Sequence, residues 1–179
     1  LGVIAMIPVA WQFVLRDYQK QRVASFLDPS ADRLGAGFQL QQSQITVGSG
    51  GLFGRGLTNS LAGQNLPVGS TDFVFAHVSE QLGFLGGSVL LALFALLIWR
   101  VLNVGWRSGD TFTLAFSGGI AGMLLFQMIV NVGMVLGVMP ITGLPLPFVT
   151  YGGASLLSAA LGLGILESLA MSRSGSGQV

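Results

Sequence analysis

The sequence predicts an all-α polytopic membrane protein with a large structured loop outside the bilayer. Three observations make the prediction. The 179 residues hold 8 Lys and Arg and 7 Asp and Glu, or 8% charged, against roughly 25% in an ordinary soluble domain. Those charges are crowded: ten lie between Arg16 and Glu80, and none falls in the 56 residues from 111 to 166. Half of the residues are hydrophobic, in runs long enough to cross a bilayer. This composition excludes a basic nucleic-acid-binding domain, a disordered tail and a typical soluble enzyme. With no Cys and one His, it also excludes a disulfide scaffold and a thiolate nucleophile, and it argues against a zinc site.

The elements follow in order from the span length, about 20 apolar residues for a ~30 Å core. The chain opens at Leu1 without Met or a charged leader, so residues 1–15 read as the end of a transmembrane helix in a larger protein. Residues 16–72 form the large loop. Within it, Gln39-Leu40-Gln41-Gln42-Ser43-Gln44 predicts an amphipathic helix over about 32–46, and residues 48–56 carry five glycines. The glycine-rich stretch superficially resembles a phosphate loop but lacks the Gly-Lys-Ser/Thr ending. It reads as a flexible turn or as backbone built for close approach to a ligand or another segment.

Residues 73–101 form a span around the uncharged run 81–99, and 102–110 a short turn. The charge-free run is too long for one helix. Pro140, Pro145 and Pro147 break it, because proline lacks a donor and restricts the residue before it. Spans over 111–138 and 152–171 therefore flank a Pro-rich turn at 139–151, and 172–179 is a tail. Arg100, Arg107 and Arg173 fall on the short-turn side, which makes that side cytoplasmic. The large loop and the Pro-rich turn are then external.

Asp72 is the leading candidate for chemistry, at the point where the loop enters the membrane. It reads either as a helix-start carboxylate favoured by free N–H groups or as a general base at the membrane surface. Glu80 lies two turns on, about 12 Å along a helix axis, too far for a direct dyad. His77 falls about one turn past Asp72. Arg16, Lys20 and Arg22 cluster after the first span. They read as headgroup-snorkelling cations or as an anionic-lipid or pyrophosphate site, to which the planar guanidinium is suited; Arg55 stands among the glycines. Gln127 and Asn131, four apart in an apolar span, predict hydrogen bonds to neighbouring helices. The pairs Gly83/Gly87, Gly118/Gly122 and Gly133/Gly137 predict close helix packing.

Several motifs resemble the SEDS family (shape, elongation, division and sporulation). They are Tyr18-Gln19-Lys20-Gln21-Arg22, Phe26-Leu27-Asp28-Pro29, Gln42-Ser43, the glycines of 48–56, and Thr71-Asp72-Phe73-Val74-Phe75-Ala76 with Glu80 and Leu82-Gly83. The most specific is Pro140-Ile141-Thr142-Gly143-Leu144-Pro145-Leu146-Pro147-Phe148, continuing through Tyr151-Gly152-Gly153. The resemblance implies the C-terminal part of a ten-helix bundle, from the end of the seventh helix through the tenth. It points to the elongation branch, with the division branch the close alternative.

It further implies a bacterial plasma-membrane glycosyltransferase that polymerises lipid II into glycan strands beside a class B penicillin-binding protein, among membrane lipids and without nucleic acid. The family's essential aspartate corresponds to Asp72. Arg16, Lys20, Arg22, Arg55, Glu80 and Thr150 are the accompanying substrate-binding candidates. No cofactor or metal ligand is readable, and a divalent cation stays open. The chain departs from the family pattern at Ser70, where His is usual, at Gln81, where a second Glu is common, and at Thr150 and Ala154, which replace serines. Two other readings stand beside this one: a transporter of the lipid-linked precursor, which would favour charges inside the spans, and a non-catalytic scaffold for the crosslinking enzyme.

Overall fold

A computed structural model describes residues 16–28, 35–56 and 71–174. The described residues form five α-helices: α1 (Asp17–Leu27), α2 (Ala36–Ser49), α3 (Val74–Arg107), α4 (Thr111–Leu136) and α5 (Gly153–Ser174), with a 3₁₀ turn at Thr71–Phe73 leading into α3. The span expected over 1–15 lies outside the described residues. Three helices, Val74–Arg107, Thr111–Leu136 and Gly153–Met171, are long and apolar enough to cross a membrane, so the chain is a multi-pass helical membrane protein. The span expected to end at 101 continues as helix to Arg107, which shortens the turn to three residues. Nothing in 102–107 breaks a helix, and the next positive-φ glycine after Gly83 is Gly109.

Two helices stand in the large loop where one was expected. Asp17 lies in the first turn of α1, where the helix dipole favours an acid, and α1 stops at Asp28. That residue precedes Pro29 and has left the helical region, which pre-proline sterics disfavour. The amphipathic helix lies over Ala36–Ser49, later than the 32–46 read from its glutamines. Its buried stripe is Leu40, Ser43 and Thr46, spaced three apart.

That stripe explains why α2 sits where it does. The last carbonyls of any helix lack intrahelical donors. Ser43 Oγ donates to Val135 O at 3.1 Å and Gln44 Nε2 to Leu136 O at 3.2 Å. α2 thus lies across the C-terminal end of α4 and satisfies it. α4 itself closes at Gly137 in the left-handed conformation, with Val138 N donating to Gly133 O and Gly137 N to Met134 O. Its other end is capped by Asp110, whose Oδ2 accepts from Thr113 N and from Thr113 Oγ1.

α3 is bent at Gly83, whose φ of 70° leaves the helical region. A break there frees two N–H groups and two carbonyls, each costly if unpaired in an apolar setting. The glycine-rich loop supplies all four partners. Phe84 N donates to Gly51 O, Leu85 N to Leu52 O, Arg55 N to Glu80 O and Gly56 N to Gln81 O. Only glycine fits at the contact: a Cβ on Gly54 would meet the backbone of Gln81, and one on Gly83 would meet Leu52 O and Gly54 N. Of the readings open for this stretch, the structure bears out close approach to another segment. The N–H groups of Arg55 and Gly56 are spent on α3 and cannot cradle phosphate.

Two apolar clusters hold the bundle. At the loop end, Leu40, Phe73, Phe75, Ala76, Met134, Val135 and Ile141 join α2, α3, α4 and the Pro-rich turn. At the other end, Ile98, Val101, Ile120, Ala121, Leu124 and Leu166 join α3, α4 and α5. Of the glycines in the pairs read from the sequence, Gly83 packs against the glycine loop and Gly137 against Gln44 of α2, and a further close helix approach was not among them. It is Gly105 on α3 against Ser117 on α4, where a Cβ would collide with the serine. A Cβ on Gly118 or Gly122 would meet nothing within 4 Å among the described residues.

Candidate active site

The Pro-rich turn and the 3₁₀ turn before α3 meet at the loop end of the bundle. Pro140 through Leu146 run without helix, followed by a turn at Pro147–Val149. Within that turn Phe148 has a φ of 65°, a left-handed conformation unusual for a non-glycine residue. Thr150 stabilises it. Its Oγ1 accepts from Leu146 N at 2.8 Å and its own N donates to Leu146 O at 2.9 Å, with the threonine buried. The Thr150 hydroxyl therefore shapes the turn.

Gly143 is the point at which the two turns face each other. Its φ is +73°, and the position a Cβ would occupy lies 3.3 Å from Asp72 Oδ2 and 3.9 Å from Arg22 Nη1. A carboxylate and a guanidinium from segments 50 residues apart in sequence thus converge on one backbone site. Arg22 is held there by a hydrogen bond from Nη1 to Ile141 O at 3.1 Å. Behind them stands Asn131 of α4, fully buried, whose Nδ2 donates to Asp72 O at 2.9 Å and to Leu144 O at 2.7 Å. Its role as a hydrogen-bonding residue was legible; that its partners are two backbone carbonyls of turns, not a helix, was not.

The other candidates lie apart from this point. Arg16 is exposed at the start of α1, and its backbone N donates to Gln19 Oε1. Lys20 Nζ stands 3.9 Å from Asp17 Oδ1 in a largely solvent-facing pair. Arg55 is exposed, with its Nε donating to Ser49 O. Glu80 is fully buried beneath the glycine loop, its Cα about 3.0 Å from where a Gly50 Cβ would stand. Asp72 and Glu80 therefore differ in environment: one half-buried at the turn, the other enclosed by the loop. His77 makes no hydrogen bond or ion pair among the described residues. Sequence reasoning missed Gly143 as a site residue; its signal was a glycine flanked by prolines in the most specific motif.

An apolar groove of about 330 Å³ runs between α2, α3 and α4, lined by Val47, Phe75, Phe84, Leu91, Val132 and Leu136 among others.

A bundle of bilayer-length helices with a carboxylate and a guanidinium gathered at one end defines a polytopic membrane protein with a surface site. The family model described as cell cycle protein (FtsW, RodA, SpoVE) matches residues 1–175. The chain belongs to that family, the SEDS proteins. It is 46% identical over 169 residues to the peptidoglycan glycosyltransferase MrdB of Escherichia coli strain K12, covering 93% of this chain and 46% of that protein. It is 41% identical over 167 residues to the stage V sporulation protein E of Bacillus subtilis strain 168, covering 93% and 46%. The chain thus spans about half the length of the curated relatives it matches.

Among solved structures, one from a study of how a peptidoglycan synthase complex coordinates polymerization and crosslinking aligns with a TM-score of 0.76 at 36% identity. It covers 96% of this chain and 48% of that one. The crystal structure of the rod shape determining protein RodA of Thermus thermophilus aligns at 0.56 and 30%, covering 88% and 58%.

Proposed function

We propose that the chain forms the loop-bearing half of a peptidoglycan glycosyltransferase that polymerises lipid II at the outer leaflet, in cell elongation. The observation that carries the reading is the convergence of Asp72 Oδ2 and Arg22 Nη1 on Gly143. Glycan growth requires an acceptor sugar hydroxyl to attack the anomeric carbon of a sugar bonded to pyrophosphate. The hydroxyl is a poor nucleophile, and Asp72 takes its proton as the new C–O bond forms. The sugar–pyrophosphate bond breaks, and undecaprenyl pyrophosphate departs with the electron pair.

Arg22 is suited to the negative charge that develops on the pyrophosphate, since a fixed guanidinium costs no reorganisation during reaction. Arg16, Lys20 and Arg55 supply the wider positive surface around it. A single displacement inverts the anomeric centre, so an α-linked donor yields a β-linked strand. The groove beside Phe75 and Phe84 is apolar, which suits a polyprenyl tail. Crosslinking of the product falls to a class B penicillin-binding protein as partner; the likeness to a peptidoglycan synthase complex supports this.

The test is polymerisation of labelled lipid II by the full-length protein, with Asp72→Ala and Asp72→Asn beside it. Both variants are expected to bind lipid II and make no glycan. Normal glycan from either removes Asp72 as the base. Transport of lipid II across vesicles with no polymerisation by the wild type would replace this reading with the transporter.

A further inference from the structure

We infer that Asn131 is a positioning residue of this site: its side-chain amide seats the Asp72 turn on the Pro-rich turn and so fixes where the Asp72 carboxylate stands. The inference rests on the reading of Asp72 as the base. Asn131 lies on α4, 59 residues from Asp72 and 13 from Leu144, yet one nitrogen serves both carbonyls. The amide orientation is set by chemistry. Nδ2 has two N–H groups and two acceptors, whereas a flipped amide would press Oδ1 against two carbonyl oxygens.

The geometry passes directly to the reacting group. Leu144 follows Gly143, and Gly143 faces Asp72 Oδ2, which would stand 3.3 Å from a Cβ at that position. With both carbonyls tied to one nitrogen, the spacing between the two turns is fixed by the amide. A misplacement of about 1 Å at a catalytic group costs on the order of 10²-fold in rate. The other half of the amide shows that packing alone does not account for the residue. Among the described residues, Asn131 Oδ1 is buried without a hydrogen-bond partner, and so is Gln127 Oε1 one turn earlier on α4. An orphan carbonyl oxygen destabilises a buried helix, and a leucine of similar size would not carry one. The donor side of Asn131 offsets that burden.

The experiment compares Asn131→Asp and Asn131→Leu with wild type and Asp72→Ala in the full-length protein, measuring lipid II polymerisation, lipid II binding and thermal unfolding. Asn131→Asp keeps the shape and replaces the donor nitrogen by oxygen. Both Asn131 variants are expected to lose about 10-fold or more in kcat, while lipid II affinity stays within about threefold of wild type. Wild-type kcat in either folded variant overturns the inference, as does a loss of affinity that matches the loss of kcat. If Asn131→Leu is not recovered folded, Asn131→Asp decides; if neither folds, Asn131 is structural and the inference fails. Wild-type polymerisation by Asp72→Ala would instead overturn the base assignment. An inactive Asp72→Ala beside active Asn131 variants overturns this inference alone.

Discussion

Gly143 and Asp72 face each other across two turns that the sequence places 71 residues apart: a Cβ on Gly143 would stand 3.3 Å from Asp72 Oδ2. That spacing is tighter than most side-chain contacts tolerate, and the glycine's φ of +73° adds a cost of about 1–2 kcal/mol for any L side chain. Gly143→Ala is therefore expected to displace the carboxylate. Polymerisation of lipid II should fall at least about 10-fold in protein that still folds. An alanine variant with wild-type turnover would mean that this approach has no bearing on Asp72.

The lock between the glycine loop and the α3 bend makes a stability prediction. Gly83→Ala and Gly54→Ala each force a side chain into backbone at a positive φ. Each should cost about 3 kcal/mol or more through strain and lost pairing. The methyls of Gly118→Ala and Gly122→Ala would meet nothing within 4 Å among the described residues, and both positions sit in helix; each substitution should be neutral, or stabilising by up to about 1 kcal/mol. Thermal unfolding of the four variants in one detergent separates the two pairs. Similar melting of all four would remove the lock.

The approach of α3 and α4 is set by Gly105 and Ser117. Gly105→Ala alone should lower the unfolding temperature, since its methyl meets Ser117 Oγ and Cβ. Ser117→Gly in the same chain should restore part of the loss, and a double-mutant cycle measures the coupling, expected at about 0.5–3 kcal/mol. Strict additivity would show that the helices adjust without contact at this point.

These glycines mark where the sequence was legible and where it was not. The spans were readable because apolar length and missing charge are summed properties that no single contact decides. The motif residues Asp72, Arg22 and Pro140–Phe148 were readable from their resemblance. The role of the glycine loop was not, because it depends on a bend at Gly83, and a lone glycine in an apolar run looks the same whether it bends, packs or does neither. The same ambiguity turned attention to Gly118/Gly122 and away from Gly105, whose partner is a serine on another helix. Asn131 showed its need for partners in its composition, an amide in an apolar span. Which carbonyls it meets depends on two turns folding together, and no local pattern encodes that.

The cations provide the last prediction, because the structure ranks residues that the sequence left equal. Arg22 is half-buried and tied to Ile141 O through Nη1. One of its five N–H donors is committed there, and the same Nη1 stands 3.9 Å from where a Gly143 Cβ would lie, on the glycine that Asp72 also approaches. Arg16 is exposed, and Lys20 is engaged with Asp17 at 3.9 Å in a solvent-screened pair. If the pyrophosphate is met by a preorganised charge, Arg22→Ala should reduce turnover at saturating lipid II by about 10-fold or more. Arg22→Lys should recover only part of it, since an ammonium cannot make a bidentate contact and hold Ile141 O together. Arg16→Ala and Lys20→Ala should change turnover by no more than about threefold and act mainly on affinity, an effect that rising salt removes. Polymerisation rates across lipid II concentration at two ionic strengths test the ranking. Equal losses from all three alanine variants would mean that a diffuse positive surface, and not Arg22, meets the leaving group.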